Sequence, residues 1–209
     1  MKMLKNILVT LLICNGLMMA QKGWIMDKAH SSVGFEAEHI VVLSDDYDEE
    51  KGYPTVGVTQ GFFEEFEIQF VPGENNFENS KFVAQIAAKS IDTDNVIRDM
   101  DLKSENFFFV EKFPMITFHS KSFTKMDDSK YKMTGELTMR GETREVELEV
   151  LLTTVSNDIS NYVSFTATGL VDRFDFGMKW SDIFENGRFR VSQYIKLKMQ
   201  ANFVSFAKS

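Results

Sequence analysis

The sequence predicts an all-β protein, an antiparallel sandwich or closed barrel of about eight strands, from three observations. Most of the chain alternates apolar and polar residues with a period of two, as half-buried strands do. Connections between these runs are mostly short, and no strand–helix–strand rhythm repeats, which disfavours a parallel sheet. The three prolines all fall outside the alternating runs.

The elements follow in order. Residues 1–20 read as a secretory signal: Lys2 and Lys5 form a basic start, Ile7 to Cys14 a short apolar run, and Ala20 a small residue suited to cleavage before Gln21. That run is too short to span a bilayer, and no later stretch approaches spanning length. One domain, 21–209, is expected to follow, exported to the periplasm or secreted. Trp24–His39 carries the first strand pattern, and the acidic stretch Ser44–Gly57 reads as an exposed loop. Strand patterns continue at Gly61–Phe70 and Lys81–Lys89, where Phe82, Ala84, Ile86 and Ala88 share a face. Thr93–Phe113 breaks the pattern and predicts one or two short helices. Asp92, Thr93 or Asp94 is the expected first cap, and Ser104 the N-cap of the second. Pro114 forbids further helix, and alternation resumes at Met115–Phe123, Tyr131–Met139, Glu145–Val155, Tyr162–Val171 and Tyr194–Phe203.

Composition excludes several functions. The net charge of −8 comes without a basic patch, which argues against nucleic acid and anionic membrane surfaces as partners. Cys14 is the only cysteine and lies in the signal, so the mature chain has no disulfide, thiolate metal site or thiol nucleophile. The 20 phenylalanines, against 2 tryptophans and 5 tyrosines, supply apolar area without polar handles and suit a large dry interior. An eight-stranded barrel is just wide enough to be filled by side chains or to hold one small ligand. The run Phe107-Phe108-Phe109, set among charged residues, is then a candidate cover across a barrel mouth; the alternative is that it simply docks a helix on the sheet.

No Gly-x-Ser-x-Gly elbow and no glycine-rich phosphate loop is present, so an enzyme is not expected, and neither is a cofactor. His30, His39 and His119 lack the spacing of a metal motif. Arg98 is the candidate for a lipid head group, with pairing to Asp92 or Asp94 at the helix start as its structural alternative. Arg140-Gly141 reads as a hairpin turn, and Arg173, between Asp172 and Asp175, as part of an ion-pair cluster.

Four stretches, in order, resemble the YceI-like family: Trp24–His39, Ser90–Ser120, Tyr131–Leu148 and Gly169–Met178. The resemblance implies an extended lipocalin-like antiparallel barrel, exported, holding polyisoprenoid or related long-chain lipid. The acidic insertion Asp45–Gly57, Glu67 and Glu145 depart from the family pattern. The expected function is a non-enzymatic carrier or store of a long-chain isoprenoid or other lipid, and a homodimer is compatible with the sequence. Candidate pocket residues are Phe35, Phe62, Phe66, Phe82, Ile86, Phe107, Phe108, Phe118 and Phe176, with Arg98 for the head group. Two other readings stand beside it: a metal- or haem-linked redox accessory or small enzyme using His30 and His39, and a filled structural or stress-response barrel without ligand.

Overall fold

The computed structural model describes residues 24–41, 54–73, 77–156, 160–180 and 189–206. The expected signal and most of the acidic insertion lie outside them. Among the described residues eleven antiparallel strands form one sheet: β1 (Ile25–Met26), β2 (Ser32–Val41), β3 (Thr55–Phe63), β4 (Phe66–Val71), β5 (Lys81–Ala87), β6 (Ile91–Asp92), β7 (Met115–Lys125), β8 (Lys130–Met139), β9 (Glu142–Ser156), β10 (Ser160–Asp172) and β11 (Phe189–Phe206). The order is β4-β5-β7-β8-β9-β10-β11-β2-β3-β6, with β1 paired to β11.

The expected count of eight falls short by three: the two-residue β1 stands apart from β2, the two-residue β6 is unexpected, and the Gly61–Phe70 run divides. Gly61–Phe70 is two strands, because the chain leaves the β2–β3 ladder after Phe62 and enters the β4–β5 ladder at Phe66. This break closes the barrel. β3 and β4 stand near opposite ends of the sheet order, yet only Glu64 and Glu65 separate them, which limits the gap to about 11 Å. The sheet must therefore curl until its ends meet. The seam is stitched by backbone bonds from Glu64 N to Ser90 O (3.0 Å) and Ala87 N to Glu65 O (2.9 Å). Lys28 Nζ adds bonds to the carbonyls of Glu64 and Phe66 at 3.3 and 3.1 Å.

Local sequence accounts for the turns. Arg140 and Gly141 have φ of 53° and 78°, a two-residue hairpin with both residues left-handed, which matches the twist of β8 and β9. Pro54, Pro72 and Pro114 sit just outside strand ends, where no ladder N–H is lost. An α-helix, α1 (Val96–Lys103), follows β6. Its N-cap is Asn95, whose side chain accepts from Arg98 N, rather than Asp92, Thr93 or Asp94. Asp99 supports the start from within the helix by accepting from Thr93 N and Oγ1. Ser104 is the C-cap and begins no second helix; residues 104–113 form successive turns, with Phe109 left-handed at φ 49°. An unbroken helix would fan three consecutive rings over some 200°. The turns instead give each ring its own environment.

Inward positions divide the barrel along its axis. At one end Phe70, Phe82, Phe123, Phe165 and Phe203 pack with Tyr131 and Met133 into a solid aromatic cluster. Ring centroids lie 4.9 Å apart for Phe70–Phe165 and Phe82–Phe165, and 5.2 Å for Phe70–Phe203. At the other end the inward residues include Ala37, Gly61, Ala84, Gly135 and Ala167. The outer faces carry cross-strand pairs such as Lys121–Glu145 and Lys132–Glu147, which are exposed and contribute at most about 1 kcal/mol each.

The aromatic end should dominate stability. Phe165→Ala, at a fully buried position, is expected to cost about 3–5 kcal/mol in chemical denaturation, against under about 0.5 kcal/mol for the outward Thr168→Ala.

Candidate functional site

The wide end of the barrel encloses a hollow of about 150 Å³. Strands on all sides line it, with Phe35 and Ala37 from β2, Ile86 from β5, Phe118 from β7 and Leu148 from β9. Among the described residues Arg173 and Lys198 are the only charged ones along it, and both turn their nitrogens elsewhere. Lys198 Nζ reaches Glu36 on the outer face at 2.8 Å. The guanidinium of Arg173 donates to the carbonyls of Ser192, Met178, Trp180 and Val191. The wall presented to the hollow is apolar.

The cover is the turn segment after α1. Phe107 and Phe108 line the hollow, together with Leu102 from the helix. Phe108 stands edge-on to Phe63 at 5.7 Å, and Phe107 leans on Trp180 at 5.2 Å. Phe109 turns away and clamps Phe113 at 5.9 Å, beside the β8–β9 hairpin. The tip of that hairpin holds the cover: Arg140 donates to the carbonyls of Glu105 (2.6 Å) and Phe107. The hairpin reading of Arg140-Gly141 therefore carries a second role, visible only once residues 105 and 140 are brought together.

Of the expected site residues, the fold gathers Phe35, Ile86, Phe107, Phe108 and Phe118 around the hollow. Phe82 and Phe176 are buried away from it, Phe82 in the aromatic cluster and Phe176 in the turn after β10. Phe66 lies at the seam with Lys28 Nζ 2.9 Å from its ring centre. Phe62 faces outward at 49% exposure, and Phe63 takes the inward place. The misleading signal is that Val56, Val58 and Phe62 share the outer face of β3, so its apolar parity points the wrong way.

Arg98 does not line the hollow. It borders an outer groove with Val58, Thr59, Phe62, Asp92 and Asp94. There its Nε and Nη2 donate to Thr93 Oγ1 (2.8 Å) and Thr93 O (2.7 Å), which fixes the helix start through Thr93 rather than through Asp92 or Asp94. Among the described residues Arg173 donates to backbone carbonyls, while Asp172 accepts from Phe174 N and Gln193 Nε2. Among the described residues no three His, Cys, Asp or Glu side chains converge as a metal site. His30 bonds Asp27 at 2.7 Å and His39 bonds Thr59 Oγ1 at 3.0 Å. No helix among the described residues is long and apolar enough to cross a membrane.

Two predictions follow from this geometry. Arg140→Gly removes both cover bonds while suiting the left-handed backbone. Amide exchange at Phe108, Phe109 and Val110 should accelerate several-fold, at a cost of about 1 kcal/mol in global stability. The second concerns pH. Burial, with the nearby Arg98 charge, holds the His39 imidazole below its ordinary pKa. The unfolded chain therefore takes up that proton first, near pH ~6.5. Stability from His39 is complete above about pH 6.5 and is lost as pH falls through the lower folded value. Asp27 and Glu36, held low by hydrogen bonds from His30 and Lys198, lose theirs only below about pH 4. The melting midpoint should decline as pH falls below about 6.5, and His39→Asn should flatten that stretch of the curve.

The comparisons with known proteins agree with this architecture. A family model described as YceI-like domain matches residues 24–203. The UPF0312 protein SA2479 of Staphylococcus aureus (strain N315) is 31% identical over 180 residues, covering 85% of this chain and 94% of that protein. Among solved structures, Burkholderia cenocepacia BcnA superposes with a TM-score of 0.64 at 19% identity, covering 85% of this chain and 99% of its own. The Campylobacter jejuni YCEI protein gives a TM-score of 0.60 at 24% identity, covering 79% and 100%. The two structures bear on the fold, and the family match spans both the hollow and its cover: the chain belongs to the YceI-like family.

Proposed function

We propose that this protein is an exported binding protein, not an enzyme, that holds the chain end of a long-chain isoprenoid or similar lipid in the hollow half of its barrel. The observation that carries the reading is an apolar hollow roofed by Phe107 and Phe108, on a barrel whose other half is solid. Export is supported by the sequence of residues 1–20, with its basic start, apolar run and small residue at Ala20. Periplasm or extracellular space is the corresponding location.

Size decides how the ligand sits. A hollow of about 150 Å³ matches the engineered cavity that takes up benzene, so it seats a terminal group rather than a whole polyprenyl chain. Each buried methylene contributes about 0.8 kcal/mol, so a five-carbon isoprene end contributes roughly 4 kcal/mol. The rest of the chain passes out beneath the cover segment, which must lift to admit it. The polar end stays outside, because the wall formed by the described residues is apolar.

Native mass spectrometry of the mature protein from its own compartment, followed by solvent extraction, tests this. A discrete added mass that extracts as a polyprenyl or other long-chain lipid is expected. A bare mass, with no uptake when polyprenyl lipids are offered, overturns the proposal and leaves a barrel without a lipid guest. Ala84→Phe, which fills the hollow at a strain of about 1–3 kcal/mol, should lower uptake at least tenfold. Phe62→Ala on the outer wall should leave uptake unchanged.

A further inference from the structure

We infer that Gly61 and Gly135 set the width of the apolar group that the barrel admits, each by giving an aromatic ring room to lie back against the wall. The inference rests on the hollow being the ligand site. Both glycines face inward, Gly61 on β3 and Gly135 on β8, and the sheet order puts these strands on opposite walls. A β-carbon on Gly61 would stand 2.4 and 2.5 Å from Cζ and Cε1 of Phe35. On Gly135 it would stand 2.4 and 2.6 Å from Cζ and Cε2 of Phe118. Carbons approach no closer than about 3.5 Å without repulsion, so the ring tips occupy the space that any other side chain would take.

Neither glycine has a left-handed φ, so the backbone makes no demand for glycine at these positions. The demand is steric, as where another group passes close to a strand. Phe35 is the cross-strand partner of Gly61, and both Phe35 and Phe118 line the hollow. A larger residue at 61 or 135 drives its ring off the wall, and the adjoining unfilled volume is the hollow itself. Ala37, Ala84 and Ala167 extend the same economy of bulk along the wall.

Gly61 is the position to test. At 135 a β-carbon would also meet the His119 carbonyl oxygen at 2.6 Å, which is backbone and cannot step aside; at 61 the other close neighbour is the Thr93 methyl at 2.9 Å. Gly61→Ala and the wild type are titrated with benzene and with farnesol, each checked for an intact melting transition. The substitution should weaken benzene and farnesol at least tenfold, and Gly61→Ala with Phe35→Leu should recover most of that loss. Phe35→Ala alone should bind naphthalene at least tenfold more tightly than the wild type, which keeps the inference testable if Gly61→Ala does not fold. Unchanged binding in Gly61→Ala, no recovery in the double variant, or no gain for naphthalene overturns it. A wild type that takes benzene but no farnesol or polyprenyl lipid sinks the lipid reading and leaves the benzene series to judge the glycines. A wild type that takes neither overturns both.

Discussion

Inward side chains of a curled sheet compete for one bore, and in a barrel of this size that bore holds either side chains or a single guest. This chain divides the bore along its axis. Five phenylalanines fill one end, while alanines and glycines at several inward positions of the other leave space unfilled. The division has an energetic logic. On the scale measured for engineered cavities, leaving about 150 Å³ unfilled forfeits on the order of 3–4 kcal/mol. Truncating one buried phenylalanine costs about as much. A cluster in which Phe165 meets Phe70, Phe82, Phe123 and Phe203 can offset that loss, so the hollow end need not contribute to holding the fold.

The same division explains the polar devices around the hollow. A barrel end without a packed core must be closed by something other than burial, and here three cations gather backbone carbonyls. Lys28 bridges Glu64 and Phe66 at the seam, Arg140 holds Glu105 and Phe107 of the cover, and Arg173 ties the turn after β10 to the irregular stretch of β11. The planar fork of arginine suits this, since one side chain meets several carbonyls at once. Arg173 is 3% exposed, and for a charge so deeply buried the satisfied donors are what make burial tolerable.

Much of this was legible in the sequence, and the rest failed for identifiable reasons. Period-two alternation marked most of the long strands, and the prolines marked their limits, because both follow from local geometry; β3 is the exception, since Thr55–Gly57, read as the end of the acidic loop, already belong to it. The phase of β3 misleads too, since Val56, Val58 and Phe62 make its outer face apolar. Ser104 carries a cap's chemistry at either end of a helix, and only the path of residues 105–113 decides which. The roles of Arg98, Arg140 and Arg173 depend on carbonyls, which have no signature in sequence. Whether the barrel was filled or hollow was illegible for a deeper reason. Alternation reports which way a residue faces, not how far its ring reaches, and both descriptions hold at different ends of this barrel.

An apolar wall also limits how this site can discriminate. A hydrogen-bonding site rejects a ligand that leaves its buried donors unpaired, by factors of about 10⁴ or more, whereas one methylene more or less against a hydrophobic wall changes binding by only about 1–3 kcal/mol. With Arg173 and Lys198 engaged elsewhere and Arg98 in the outer groove, the described residues offer the hollow no polar group to set such a threshold. Selection must then come from where the wall stops. That boundary is drawn by ring positions, of Phe35 and Phe118 at the sides and Phe107 and Phe108 above. Ring positions are drawn in turn by what stands behind them: glycines at the sides, and at the cover Phe63, Trp180 and the carbonyl bonds from Arg140. In such a site specificity resides one layer behind the surface that the ligand touches.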